Sequence, residues 1–319
     1  MASNGLPNVV IAGTVKGGTT SLFMYLSRHP EICGSSIKET CYFLPLRYHE
    51  EMQPLDTYRS YFRQTSGERY ILEATPGYFE GGRAVAEAIR EQLGDVRIII
   101  SLRDPVDRLI SFFNYKKSRL LLDRKLTLED YVSRCANMPM AEKRKRENDA
   151  YWGVEGGFYS AYLPHWFDVF GDSIKVVFFD DLRNDPVGLL GELCSWLDIS
   201  PAPYVSASMT VENKTVDCRN RYLHKIALAV NGANEKFFRS HPGLKNLVRT
   251  AYYRLNGDLR KQRMSEHTLK YLRSLYTPSL LELGRQLAAR GFDRTPDWIP
   301  GLTRDPEPAQ SFLCEASKL

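Results

Sequence analysis

The six cysteines (Cys33, Cys41, Cys135, Cys194, Cys218 and Cys314) include no C-x-x-C pair. A zinc site is therefore not expected, and a chain of 319 residues needs no disulfide scaffold. They read as reduced, mostly buried thiols. No apolar run approaches the ~20 residues of a membrane helix. The longest runs, such as Val96–Leu102 with its internal Arg97, are far shorter. The opening MASNGLPNVVIAGTVKGG lacks a basic stretch followed by a long apolar one, so no secretory leader is expected. These absences lead us to expect a soluble, cytoplasmic protein without a membrane partner. Charge of one sign is scarcely in excess, at 43 basic against 38 acidic residues and a net +5. That excess suits a polyanionic small ligand as well as nucleic acid and decides neither. With 22 glycines and 17 prolines and no repeat, collagen-like and low-complexity classes are out. Charged residues at 25% and aromatics at 12% exclude wholesale disorder.

What is present alternates between strand and helix signals. Asn8–Ala12 is a β-branched run, followed by a glycine-rich turn and by Thr19–Arg28, where Leu22, Tyr25, Leu26 and His29 share one helical face. Arg97–Leu102 predicts a second strand. Asp104 and Pro105 then supply an N-cap and a first helical residue. Ile174–Phe179 predicts a third strand, and Asp185-Pro186 opens a helix to about Leu197. Further on, Tyr222–Val230 reads as one helix and Ser265–Arg290 as one or two, with a break near Pro278. Alternation of this kind predicts an α/β fold, a parallel sheet with helices on both faces. Ligands of such sheets sit at the carboxyl ends of strands, which singles out the loops after the first two predicted strands.

The first loop is Gly13-Thr14-Val15-Lys16-Gly17-Gly18-Thr19-Thr20. Glycines let backbone N–H groups close on an anion, the helix start adds positive potential, Lys16 adds a full charge, and Thr19 and Thr20 add hydroxyls. Lys16 precedes Gly17 and Gly18, whereas a Walker A lysine follows the last glycine, so this is not the ATPase loop. An ordinary tight βα turn with a solvated lysine is the plain alternative. The second loop carries Arg103, Asp104, Pro105, Asp107 and Arg108, with Ser111 about two turns into the helix. Arg103 at a strand end forks readily onto a phosphate, and the Ser111 hydroxyl extends toward the same anion. A surface Arg103–Asp107 pair is the plain alternative there.

Together the two loops predict one ligand with two separated anionic groups, and on them the chain resembles sulfotransferases that use 3′-phosphoadenosine 5′-phosphosulfate (PAPS). The likeness is strongest to the heparan sulfate sulfotransferase branch and its soluble bacterial relatives. Gly13–Thr20 resembles that family's 5′-phosphosulfate loop. Arg103, Asp104, Pro105, Arg108 and Ser111 resemble its R-D-P-x-x-R…S motif for the 3′-phosphate. Lys38-Glu39-Thr40-Cys41-Tyr42-Phe43 is similar to the K-E-x-x-x-F segment whose glutamate is the catalytic base. Glu73-Ala74-Thr75-Pro76-Gly77-Tyr78-Phe79 is similar to E-K-T-P-x-Y-F, with Ala74 where the family has lysine. Gly157–Leu197 and Tyr276–Leu283 resemble later segments more loosely.

The resemblance implies a P-loop-like three-layer fold with a central parallel sheet flanked by helices. It implies one domain over residues 1–302, with an acceptor-side insertion near 115–155 and a loose tail over 303–319. It also implies PAPS as co-substrate, PAP (the 3′,5′-bisphosphate left behind) as product, and no metal. Lys16, Gly17, Gly18, Thr19, Thr20, Arg103 and Ser111 would bind the nucleotide, with Arg219 and Arg221 as covering contacts. Lys16 and Glu39 would carry catalysis, Glu39 with a pKa raised by partial burial. The acceptor would be a small molecule or a carbohydrate; neither nucleic acid nor a membrane is expected as partner. The basic run Lys143–Arg146 reads either as a solvated face or as a contact to an anionic acceptor. The aromatics Tyr42, Phe43, Tyr78, Phe79, Trp152 and Tyr159 read either as core or as a stacking surface. The competing expectations are a P-loop kinase or ATPase, which lacks its lysine position here, and a nucleic-acid-binding module, which lacks basic–aromatic interleaving.

Overall fold

The β-branched run Val9–Gly13 is buried along its whole length, as a strand covered on both faces must be. The computed structural model describes residues 5–62, 65–205, 217–218, 257–258 and 264–301. In order, the chain forms β1 (Val9–Gly13), α1 (Thr19–Leu26), β2 (Ile32–Gly34), α2 (Leu55–Arg59), β3 (Tyr70–Ala74), α3 (Gly82–Leu93), β4 (Arg97–Leu102) and α4 (Pro105–Ser118). There follow α5 (Leu128–Asn137), α6 (Met140–Lys143), α7 (Leu163–Phe170), β5 (Ile174–Phe178), α8 (Phe179–Asn184), α9 (Pro186–Leu197) and a long helix, Glu266–Ala288.

The five strands form one parallel sheet in the order β2-β3-β1-β4-β5. Side chains alternate across it with period two. Val10, Ala12, Ile71, Ile98, Ile100 and Val176 pack against α3 and α7. Val9, Ile11, Leu72, Ile99 and Val177 pack against α1 and α9. The result is a three-layer α/β fold, and β1 lies at its centre.

Asp104 accepts from the Val106 and Asp107 N–H groups and Asp185 from that of Gly188, so both predicted caps are made. Two strands escaped the sequence pattern. β2 has only three residues, and the apolar run of β3 is interrupted by Glu73. The predicted break at Pro278 is absent. The helix runs on from Glu266 to Ala288, because a proline costs one backbone bond and Leu272, Tyr276, Leu283 and Leu287 anchor both sides of it. Leu272 and Tyr276 close a third core with Leu109 and Phe113 of α4 and Leu128, Tyr131 and Cys135 of α5. The predicted helix Tyr222–Val230 and the tail 303–319 lie outside the described residues.

Candidate active site

The loop after β1 is tied to the end of β4. The Thr14 N–H and Oγ1 both donate to the Ser101 carbonyl at 2.9 Å, Gly17 N–H donates to Thr14 O at 2.9 Å, and Ser101 Oγ donates to Gly17 O at 2.5 Å. Two glycines are demanded by this path. A Cβ on Gly17 would stand 2.5 Å from the Ser101 carbonyl oxygen, and Gly18 has φ +84° with Leu182 and Phe179 at 2.7 Å from its would-be Cβ. Thr19 is buried and Thr20 half-buried. No side chain caps the first turn of α1, and no acid stands in it. Its free N–H groups and positive end are thus left open to an anion.

Arg103 leaves the end of β4 and turns back onto this loop. Its Nη1 donates to Lys16 O at 3.3 Å, its guanidinium lies 4.4 Å from the Phe179 ring centroid, and its backbone carbonyl accepts from the Tyr159 hydroxyl at 2.7 Å. The expected alternative partner, Asp107, is 3.9 Å away at Nη2. Arg103 Nε is buried without a partner, and burial pulls the guanidinium pKa down. Lys16 is depressed from 10.5 to about 8, by burial first and then by the Arg103 charge; Glu39 opposes this and Lys38 adds to it. Two desolvated cations held together with an orphan donor favour an anion, which would neutralise both and satisfy the donor.

The Lys16 ammonium lies 4.6 Å from the Tyr115 ring centroid. Ser111 is half-buried one helical turn before Tyr115 and therefore on the same face of α4. Arg108, by contrast, is a core residue: it is fully buried and donates to the Gly153 carbonyl. Burial raises the Tyr115 pKa, and the Glu39 charge is the next cause.

Glu39 stands where β3 ends, its N–H donating to Ala74 O at 3.0 Å. Its carboxylate is 46% exposed and pairs with Lys38 Nζ at 2.7 Å. The expected burial of Glu39 is therefore not found. The backbone is tied down while the side chain turns to the open side, where Lys38 meets it. Glu39 and Cys41 both hold left-handed backbone, φ +64° and +56°. Such strain costs about 1–3 kcal/mol per residue and persists only where the surroundings impose it. Here they do. Beneath lies Glu73, fully buried, accepting from Thr40 Oγ1 (2.5 Å), Tyr58 OH (2.7 Å), Thr75 Oγ1 (2.7 Å) and Tyr78 OH (2.9 Å). Burial raises its pKa and these hydroxyls restrain the rise.

The insertion docks on this side through charge. Arg47 Nη1 pairs with Glu80 at 2.8 Å and Asp149 at 3.4 Å, and Lys116 binds Asp149 as well. The basic run is mostly spent internally: Lys143 is buried on Glu155, Lys145 pairs with Glu142, and Arg146 Nε and Nη2 fork onto Glu50. The six aromatics are all buried, so their stacking role gives way to a core role, and Tyr78 serves through its hydroxyl. Arg219 and Arg221 lie outside the described residues. The short strand Asp217–Cys218 just before them pairs with Gly257–Asp258 and lies against α4. Among the described residues no cluster of three His, Cys, Asp or Glu is placed to hold a metal, and no helix is long and apolar enough to cross a membrane. Sequence reasoning missed Tyr115, whose only signal was its i+4 spacing from Ser111, and the hydroxyl set around Glu73, which comes from three separate segments.

Fold and site define an α/β protein that gathers two cations, Lys16 and Arg103, at the carboxyl ends of its two central strands. Residues 6–243 match the family model described as the sulfotransferase domain, and the chain belongs to that family. It is 29% identical over 207 residues to human heparan sulfate glucosamine 3-O-sulfotransferase 3B1, a match covering 62% of this chain and 47% of that protein. It is 24% identical over 229 residues to the Caenorhabditis briggsae bifunctional heparan sulfate N-deacetylase/N-sulfotransferase 1, covering 68% of this chain and 26% of that one. The matched region thus spans less than half of these relatives. The fold is shared with a sulfotransferase from Alicyclobacillus acidocaldarius at a TM-score of 0.56 and 24% identity, covering 73% of this chain and 94% of that structure.

Proposed function

We propose that this protein moves a sulfuryl group from PAPS to a hydroxyl or amine of a small-molecule or carbohydrate acceptor, releasing PAP. The observation that carries this is the contact of Arg103 with the Lys16 carbonyl around an uncapped helix start, which gathers two cations, one unpaired guanidinium nitrogen and a turn of free N–H groups. Lys16, Gly17, Gly18, Thr19 and Thr20 hold the 5′-phosphosulfate in this scheme, and Arg103 and Ser111 the 3′-phosphate. The donor supplies an activated sulfuryl group whose bond to the phosphate breaks as its bond to the acceptor forms. Lys16 and the loop N–H groups stabilise the charge that develops on the departing phosphate. Glu39 takes the acceptor proton. Its exposed carboxylate is reachable by an acceptor, and Lys38 restrains its direction.

Arg219 and Arg221 belong to the proposal as covering contacts. So do a single domain over 1–302, an insertion near 115–155 facing the acceptor, and independence from a metal. A cytoplasmic location is also proposed, supported by the thiols of Cys41, Cys135 and Cys194, none of which is in a disulfide. A kinase or ATPase is not favoured, since Lys16 precedes Gly17 and Gly18 instead of following the last glycine of its loop.

Calorimetry with PAP, then turnover of labelled PAPS against an acceptor panel with and without EDTA, tests the proposal. Glu39→Gln is expected to keep the PAP Kd and to lower kcat about a hundredfold or more. Turnover near wild type would remove Glu39 as the base. Absence of PAP binding would remove the whole assignment.

A further inference from the structure

We propose that Glu73 is a positioning residue, which holds the Lys38–Phe43 loop through Thr40 and thereby aims the Glu39 carboxylate. This rests on the role of Glu39 proposed above.

Glu73 is a fully buried carboxylate, and among the described residues no lysine, arginine or histidine pairs with it. Its partners are hydroxyls from three places: Thr40 of the loop, Tyr58 of α2, and Thr75 and Tyr78 beyond β3. An ionised carboxylate only accepts, so it turns all four hydroxyl protons toward itself. That leaves the oxygens of Thr75 and Tyr78 free to accept in turn. Cys41 N–H donates to Thr75 Oγ1 at 3.2 Å, and Phe43 N–H donates to Tyr78 OH at 3.2 Å. Thr40, Cys41 and Phe43 therefore all end on one carboxylate, directly or through a single hydroxyl. The two left-handed residues, Glu39 and Cys41, flank Thr40, the one residue of the loop whose side chain reaches Glu73 itself. A core that needed only volume here would hold an apolar side chain. A buried acceptor-only group is what orients hydroxyls to grip backbone N–H groups of a strained loop.

The test compares Thr40→Val, which removes the direct bond at nearly constant shape, with Thr40→Ser, which restores it. Thr40→Val is expected to lower kcat about tenfold or more through misplacement of Glu39. The KM for PAPS and the PAP Kd should stay within about twofold, and Thr40→Ser should recover kcat. An activity-independent readout is alkylation of Cys41, a half-buried thiol pushed up to about 12, first by burial and then by Glu39 and Glu73. Peptide mass spectrometry should show it labelled several times faster in Thr40→Val and at the wild-type rate in Thr40→Ser. Unchanged kcat in Thr40→Val, a parallel loss of PAP affinity, or unchanged Cys41 labelling would each overturn the proposal. If Glu39→Gln keeps turnover, the assigned base falls instead, and Cys41 labelling still shows whether Glu73 holds the loop.

Discussion

Lys16 of the loop after β1 rests on the ring of Tyr115, 4.6 Å from its centroid, so the loop cation is seated on the helix that also presents Ser111. Tyr115→Phe keeps the ring and should keep the PAP affinity. Tyr115→Leu should weaken it by about 1–2 kcal/mol, the worth of a partly desolvated cation–π contact. Calorimetry on both variants checks this, and equal Kd values would mean that the ring does not hold Lys16.

PAP binding should depend on pH through the same lysine. Its pKa of about 8 in the free protein, set by burial and by Arg103, must rise when an anion arrives. Binding above that pH therefore takes up a proton. Affinity should be flat from pH 7 to 8 and then fall by up to about tenfold per pH unit. Arg103→Ala should lose roughly ten- to a hundredfold in affinity, as a buried charge-assisted contact does. It should also move the break to higher pH, because one of the causes depressing Lys16 is gone. Calorimetry in buffers of different ionisation enthalpy reads both effects.

Gly17→Ala should be poorly tolerated. Its Cβ would meet the Ser101 carbonyl at 2.5 Å, and backbone cannot step aside as a side-chain tip does. A loss of about 1–3 kcal/mol in urea denaturation is expected, with PAP binding weakened well beyond it. Gly191→Ala in α9 is the control. Nothing stands within 4 Å of its would-be Cβ, and helix propensity should make it stabilising by about 0.5–1 kcal/mol.

Glu80→Ala should cost about 3–5 kcal/mol, because it leaves the buried Arg47 guanidinium without its main partner. Replacing both partners, Arg47→Met with Glu80→Leu, should recover most of that loss. A double-mutant cycle in urea measures it, and additive losses would show that the two charges are not coupled.

The local signals were legible because they are short-range. Asp104-Pro105 and Asp185-Pro186 are caps whose partners lie within three residues, and the predicted starts of α4 and α9 fall where they were read. The loop Gly13–Thr20 was legible for the same reason: its lysine, glycines and helix start are contiguous. Arg103 and Arg108 sit five residues apart in one motif, yet one faces the anion loop and the other disappears under Gly153. No pattern in that motif separates them, because their directions are set by Phe179 and by the insertion, which are remote in the chain. The basic run failed for a related reason, since its partners Glu50 and Glu155 come from either side of it.

By itself the sequence determined the α/β alternation, the glycine-rich loop with its lysine and the strand-end arginine, all products of local propensity and spacing. Only the tertiary structure decided that β1 and β4 stand side by side, so that Lys16 and Arg103 share one desolvated place. It alone set Tyr115 beneath Lys16 and left Glu39 exposed above a buried Glu73. Burial and the meeting of charges depend on residues far apart in the chain, and no local pattern carries them.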